Sequence, residues 1–172
     1  MMRRHPAVIV TSAVLTMVGS ILGAAAQEPK RATERTEKGL YLLKVVEPGY
    51  DVTVKETERG AAFSLLEMSG VVPTVTAAGV VLFRAVYDIA KERKFEFTFI
   101  PPRREQPPDS TARGAEGRRV SLVAKVFMTN DAKISLKELL GAEHTAEAQQ
   151  LFDSTGYRSV AQLAALFGGR GK

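Results

Sequence analysis

The chain has 172 residues, of which 45% are apolar, 25% charged and 7% aromatic, and 24 Lys plus Arg against 19 Asp plus Glu give a formal net charge of +5. This is the make-up of an ordinary globular domain, and it excludes collagen-like, mucin-like and wholly disordered chains. Cysteine is absent, which excludes disulfides, thiolate nucleophiles, iron–sulfur clusters and cysteine-bound zinc.

Residues 1–26 divide into the parts of a secretory signal peptide. Arg3 and Arg4 stand at the start, an apolar stretch runs from Ala7 to Gly23, and the small residues Ala24, Ala25 and Ala26 precede a cleavage point. Cleavage after Ala26 is expected, making Gln27 the first residue of the mature chain and lowering the formal charge from +5 to +3 by removing two arginines. The alternative is that the stretch stays as an N-terminal membrane anchor. An exported protein without disulfides has to hold together by core packing, which fits a bacterial periplasm better than a small eukaryotic secreted scaffold.

Segment 27–38 alternates charges and has no large apolar side chain, so a flexible spacer is expected there. The expected domain runs from 39 to 168. Leu40 to Val46 reads as a strand buried on both faces and ended by Pro48-Gly49. Val52 and Val54 alternate with Thr53 and Lys55 in a half-exposed second strand. After Arg59-Gly60, residues 61–68 form a third, and the short turns predict an antiparallel meander. Thr76 is the expected cap of a helix over 77–93, with Leu82, Ala85, Val86 and Ile89 on one face. Phe95, Phe97 and Phe99 alternate with Glu96 and Thr98 in a fourth strand that stops at Pro101-Pro102.

Segment 101–119 has four prolines, two glycines and no large apolar side chain, and is expected to be a disordered loop. Val120 to Thr129 is apolar on both faces, as a central strand would be. Ser135-x-x-Glu138 and Ser159-x-x-Gln162 are capping boxes that open short helices, with a further helix over Thr145 to Asp153 between them. Residues 169–172 form a tail. The whole predicts a single α+β domain: a mostly antiparallel sheet of about five strands, one long helix on a face, and a short C-terminal helical cluster.

Motifs for chemistry are sparse. The one histidine after residue 26 is His144, beside Glu143 and Glu147, and a zinc site needs at least three protein ligands. Asp153-Ser154-Thr155-Gly156 has one residue too many for the aspartic protease loop. There is no G-x-S-x-G and no S-x-x-K. No catalytic residue, metal site or cofactor is therefore expected. Asp88 and Glu92, one helical turn apart, leave a carboxylate-dependent hydrolase as the enzymatic alternative, although Arg84 one turn earlier also fits a salt-bridged surface. Arg103, Arg104, Arg118 and Arg119 bracket the proline-rich loop and are the candidate contacts for an anionic envelope component or an acidic protein partner. The basic excess lies in segments 27–38, 101–119 and 170–172 rather than on predicted strands and helices, so nucleic acid is not an expected partner.

The segment GVVLFRAVYDIAKERKFEFTFI, residues 79–100, resembles the helix–strand unit of small exported bacterial proteins of uncharacterised function, many of them lipoproteins. Arg84-Ala85 and Glu92-Arg93-Lys94-Phe95 stand at the matching places, while the lipid-bearing cysteine of the lipoproteins is absent. The resemblance implies envelope localisation and an α+β domain, and no catalytic residue. The reading is thus an exported, non-enzymatic envelope protein that binds a protein partner or an anionic surface. A periplasmic carrier or sensor of a small apolar ligand held between helix and sheet is the alternative.

Overall fold

Period-two alternation builds most of the molecule. In the computed structural model, which describes residues 31–102, 113–114 and 117–167, strands β1 (Arg31–Arg35), β2 (Tyr41–Glu47), β3 (Tyr50–Arg59) and β4 (Phe63–Val72) form an antiparallel meander. Helix α1 (Val75–Glu92) follows, then β5 (Phe97–Phe99), the two-residue β6 (Arg113–Gly114) and the long β7 (Gly117–Thr129). The chain ends in α2 (Leu136–Leu140), a single 3₁₀ turn, α3 (Ala146–Thr155), the two-residue β8 (Arg158–Ser159) and α4 (Val160–Phe167). The fold is α+β, with one eight-stranded sheet in the order β1-β2-β3-β4-β7-β5-β8 and β6 added beside β7. Every pairing is antiparallel. β7 is central, inserted between β4 and β5, so α1 carries the chain over the sheet from one flank of β7 to the other.

The two faces are covered unequally. On one, Tyr41, Leu43 and Val45 of β2, Val52 and Val54 of β3, Leu66 and Met68 of β4, and Val126 and Met128 of β7 close against α1. The helix contributes Ala77, Ala78, Val81, Ala85, Val86, Ile89 and Ala90, all buried, and α4 adds Leu163. The small alanines let the helix axis approach the sheet. On the other face, α2 and α3 cover only the β5–β7 end, where Phe99, Phe127, Leu136, Leu140 and Ala148 form a second cluster. Phe99 and Phe152 meet edge to face at 5.7 Å, and Phe152 and Tyr157 at 4.7 Å.

Several expectations are corrected. Residues 31–35 of the presumed spacer form an edge strand, because backbone pairing with β2, Arg31 opposite Val45 through Arg35 opposite Tyr41, orders a polar segment that has no core of its own. Among the described residues the sheet has eight strands rather than about five, the additions being β1 and the short β6 and β8. Strand β2 is buried on one face alone: among the described residues no helix lies over its other side, and Val46 is 67% exposed. The cap of α1 is Thr74, whose hydroxyl accepts from the Ala77 amide at 3.1 Å, two residues before Thr76. The presumed loop 101–119 gives up 113–114 and 117–119 to a hairpin, where Arg113 pairs with Arg118 and Gly114 with Gly117. The Ser159–Gln162 capping box forms in full, with reciprocal bonds at 2.8 and 3.0 Å, whereas at Ser135 the hydroxyl caps the Glu138 amide at 3.2 Å. The expected signal peptide over 1–26, residues 27–30 and the expected tail 169–172 lie outside the described residues, and no helix among the described residues is long and apolar enough to cross a membrane.

Gly70 permits the close pairing of β3 and β4. Its φ is +135°, and a Cβ there would stand 2.1 Å from the Asp51 carbonyl oxygen and 2.7 Å from Val52 Cα.

Candidate functional site

Of the four bracketing arginines, Arg103 and Arg104 lie outside the described residues. Arg118 and Arg119 open β7, paired with Val72 and Val71 at the end of β4. Arg118 is half-buried and Arg119 exposed. The register of the β6–β7 hairpin sets Arg113 opposite Arg118, so three arginines occupy neighbouring positions at one end of the sheet. Beside Arg119 lies a hollow of about 370 Å³ lined by Asp51, Gly70, Val71, Val120 and Ser121. The sequence showed the charge of this end. It did not show that the arginines are registered across a hairpin rather than spread along a loop.

At the opposite flank the carboxylates of α1 are taken up by different partners. Asp88 accepts the Tyr41 hydroxyl at 2.8 Å and lies 3.0 Å from Arg84 Nε. Tyr41 is 1% exposed, and burial, followed by the charge of Asp88, pushes its phenol far above the ordinary range, so the hydroxyl stays a donor. Glu92 is held by Arg35, which donates from Nη1 at 2.9 Å and from Nη2 at 2.5 Å, with Arg59 Nη1 3.5 Å away. These two residues were the basis of the hydrolase alternative, and each is engaged in its own ion pair.

Arg59 continues the chain of charges inward. It donates to both oxygens of Glu56, at 2.9 and 2.5 Å, and Glu56 is completely buried. The same carboxylate accepts from Ser64 Oγ at 2.7 Å and from the Tyr41 amide at 3.1 Å. Burial alone raises the Glu56 carboxyl, but the bonds from Arg59, Ser64 and Tyr41 outweigh it and hold the group below its ordinary value. Arg93, just after α1, donates to Ser64 Oγ and the Phe63 carbonyl, and to the carbonyls of Gly60 and Ala61 at 2.6 and 2.8 Å. The network ties β1, the β3–β4 turn and the end of α1 together. Sequence reasoning missed it, although the alternation Val52, Val54, Glu56 carries the signal that Glu56 points inward.

His144 Nε2 lies 2.9 Å from Gln149 Oε1. Among the described residues no group of three or more His, Asp or Glu side chains is placed to hold a metal ion. Asp153 accepts from Gln149 Nε2 at 2.7 Å on the exposed side of α3, which ends at Gly156 with φ 62°. The interface between α1 and the sheet, considered as a pocket for an apolar ligand, is filled by buried side chains, none more than 9% exposed.

The fold and its polar clusters define an α+β protein with an arginine-bearing sheet end and a charged helix flank. No protein-family model, curated protein or solved structure matches the chain.

Proposed function

We propose that the protein is an exported, non-enzymatic binding protein of the bacterial envelope that holds an anionic envelope surface through the arginine end of its sheet. The observation that carries this reading is the hairpin register, which sets Arg113 against Arg118 with Arg119 next along the strand. An anionic group at this end gains charge-assisted hydrogen bonds, for which the planar guanidinium is suited. The engagement of Asp88 and Glu92 in separate ion pairs supports binding rather than turnover.

The test is co-sedimentation of the purified protein with phosphatidylglycerol vesicles and with phosphatidylcholine vesicles, at low salt and at about 0.5 M salt, where exposed charges are screened within a few ångströms. Retention is expected on the anionic vesicles alone, lost at high salt and lost when Arg103, Arg104, Arg118 and Arg119 are replaced together by Ala. Retention unchanged by the four substitutions refutes the role of the arginines. Capture by an envelope protein without any vesicle binding replaces the surface by a protein partner.

A further inference from the structure

A second site stands on the flank of α1, away from the arginine end. A cleft of about 620 Å³ opens between β1, α1 and α4, within the size range of small-molecule sites. Tyr41, Arg84, Tyr87, Asp88, Lys91 and Phe167 are among its lining residues. Two aromatic rings form its apolar walls: Tyr87 and Phe167 lie 6.1 Å apart at 48°. The Arg84 guanidinium lies 5.3 Å from both ring centroids and forms an ion pair with Asp88, whose Oδ1 is 3.0 Å from Nε. Asp88 is itself fixed by the buried Tyr41 hydroxyl. The cation is thus positioned in advance by two rings and a carboxylate, which lowers the ordering cost of anything that packs on it.

Charge bookkeeping selects the ligand's sign. Within the cleft Arg84 is matched by Asp88, and Arg35 by Glu92. Lys91, exposed and 5.6 Å over the Tyr87 ring, is the remaining cation of the lining. We infer that the cleft takes a small organic monoanion whose flat apolar body packs against Tyr87 and Phe167 and whose acidic group meets Lys91. A cation of the same shape meets the like charge of Lys91, and an uncharged analogue gains the aromatic contacts alone. This site shares no residue with the arginine end, so the two readings stand or fall separately.

The test is calorimetric titration of the purified protein with a naphthalene carboxylate and with phenylacetate, set against the naphthylmethyl ammonium ion of matching ring and opposite charge. The carboxylates are expected to bind and the ammonium ion to bind at least about tenfold more weakly. Lys91→Glu, on the exposed face of the helix, is expected to weaken carboxylate binding by at least about tenfold. Phe167→Ala is expected to weaken all three probes, and Lys91→Gln to give an intermediate loss that separates charge from fold damage. Replacement of Arg118 and Arg119 by Ala is expected to leave the titration unchanged. Equal affinity for both charges, carboxylate affinity indifferent to Lys91→Glu and Phe167→Ala, or no heat with any probe at millimolar concentration overturns the inference.

Discussion

Replacing Glu56 by Gln keeps the shape of the side chain and removes its charge at the centre of the polar network. The wild-type carboxylate is wholly buried and accepts hydrogen bonds from Tyr41 N, Arg59 Nε, Arg59 Nη2 and Ser64 Oγ. An amide turned either way points its NH₂ at one of the Arg59 donors. Ser64 cannot compensate freely, since its oxygen also accepts from Arg93. Breaking a buried ion pair from one side costs about 3–5 kcal/mol. The Arg59 side chain is 29% exposed, so water relieves part of the loss and roughly 2–3 kcal/mol is expected. With a urea slope of about 2 kcal/mol/M, the unfolding midpoint followed by circular dichroism should fall by roughly 1–1.5 M at neutral pH. The pH dependence has a definite sign. Because the folded carboxyl lies below its unfolded value, its stabilisation is complete above the unfolded value and is lost as pH falls through the folded one. The gap between wild type and Glu56→Gln should therefore stay constant near neutrality and close below about pH 4. A midpoint unchanged at neutral pH, or a gap that widens on acidification, refutes the reasoning.

Four further outcomes follow from packing and local bonding. Gly70→Ala should cost at least about 3 kcal/mol or prevent folding, because the new methyl collides with the Asp51 carbonyl at a left-handed φ; soluble yield and thermal melting report it. Ile89→Ala, which empties a site 1% exposed between α1 and the sheet, should cost about 2–5 kcal/mol by urea unfolding. Tyr41→Phe should cost about 1–2 kcal/mol by the same assay through loss of the hydroxyl donated to Asp88. In the wild type, ultraviolet absorbance should show no ionisation of Tyr41 until alkaline unfolding, since burial and Asp88 both oppose its deprotonation.

The elements legible in the sequence were those with a strong local signal. Alternation located β3 and β5, apolar runs bounded by turn residues located β2, β4 and β7, helical spacing located α1, and capping motifs located the starts of α2 and α4. β1 was not legible, because its order comes from the edge of β2 rather than from its own side chains. The order of strands was hidden for a related reason: the insertion of β7 between β4 and β5 is decided by long-range packing under α1, which leaves no local trace. At the candidate site, the basic character of segment 101–119 was readable, whereas the opposition of Arg113 and Arg118 needed the register of the hairpin. Tyr41 read as one more apolar strand residue, and only its place opposite α1 reveals the link to Asp88.

The most direct test of the proposed function is an amide-resolved NMR titration of the protein with a soluble short-chain phosphatidylglycerol. The account predicts salt-sensitive shifts concentrated at Gly117–Ser121 and at their cross-strand neighbours Ser69–Val72, with the amides of α2 and α3 unmoved. Shifts confined to α2 and α3, or equal shifts with the zwitterionic lipid, would contradict it.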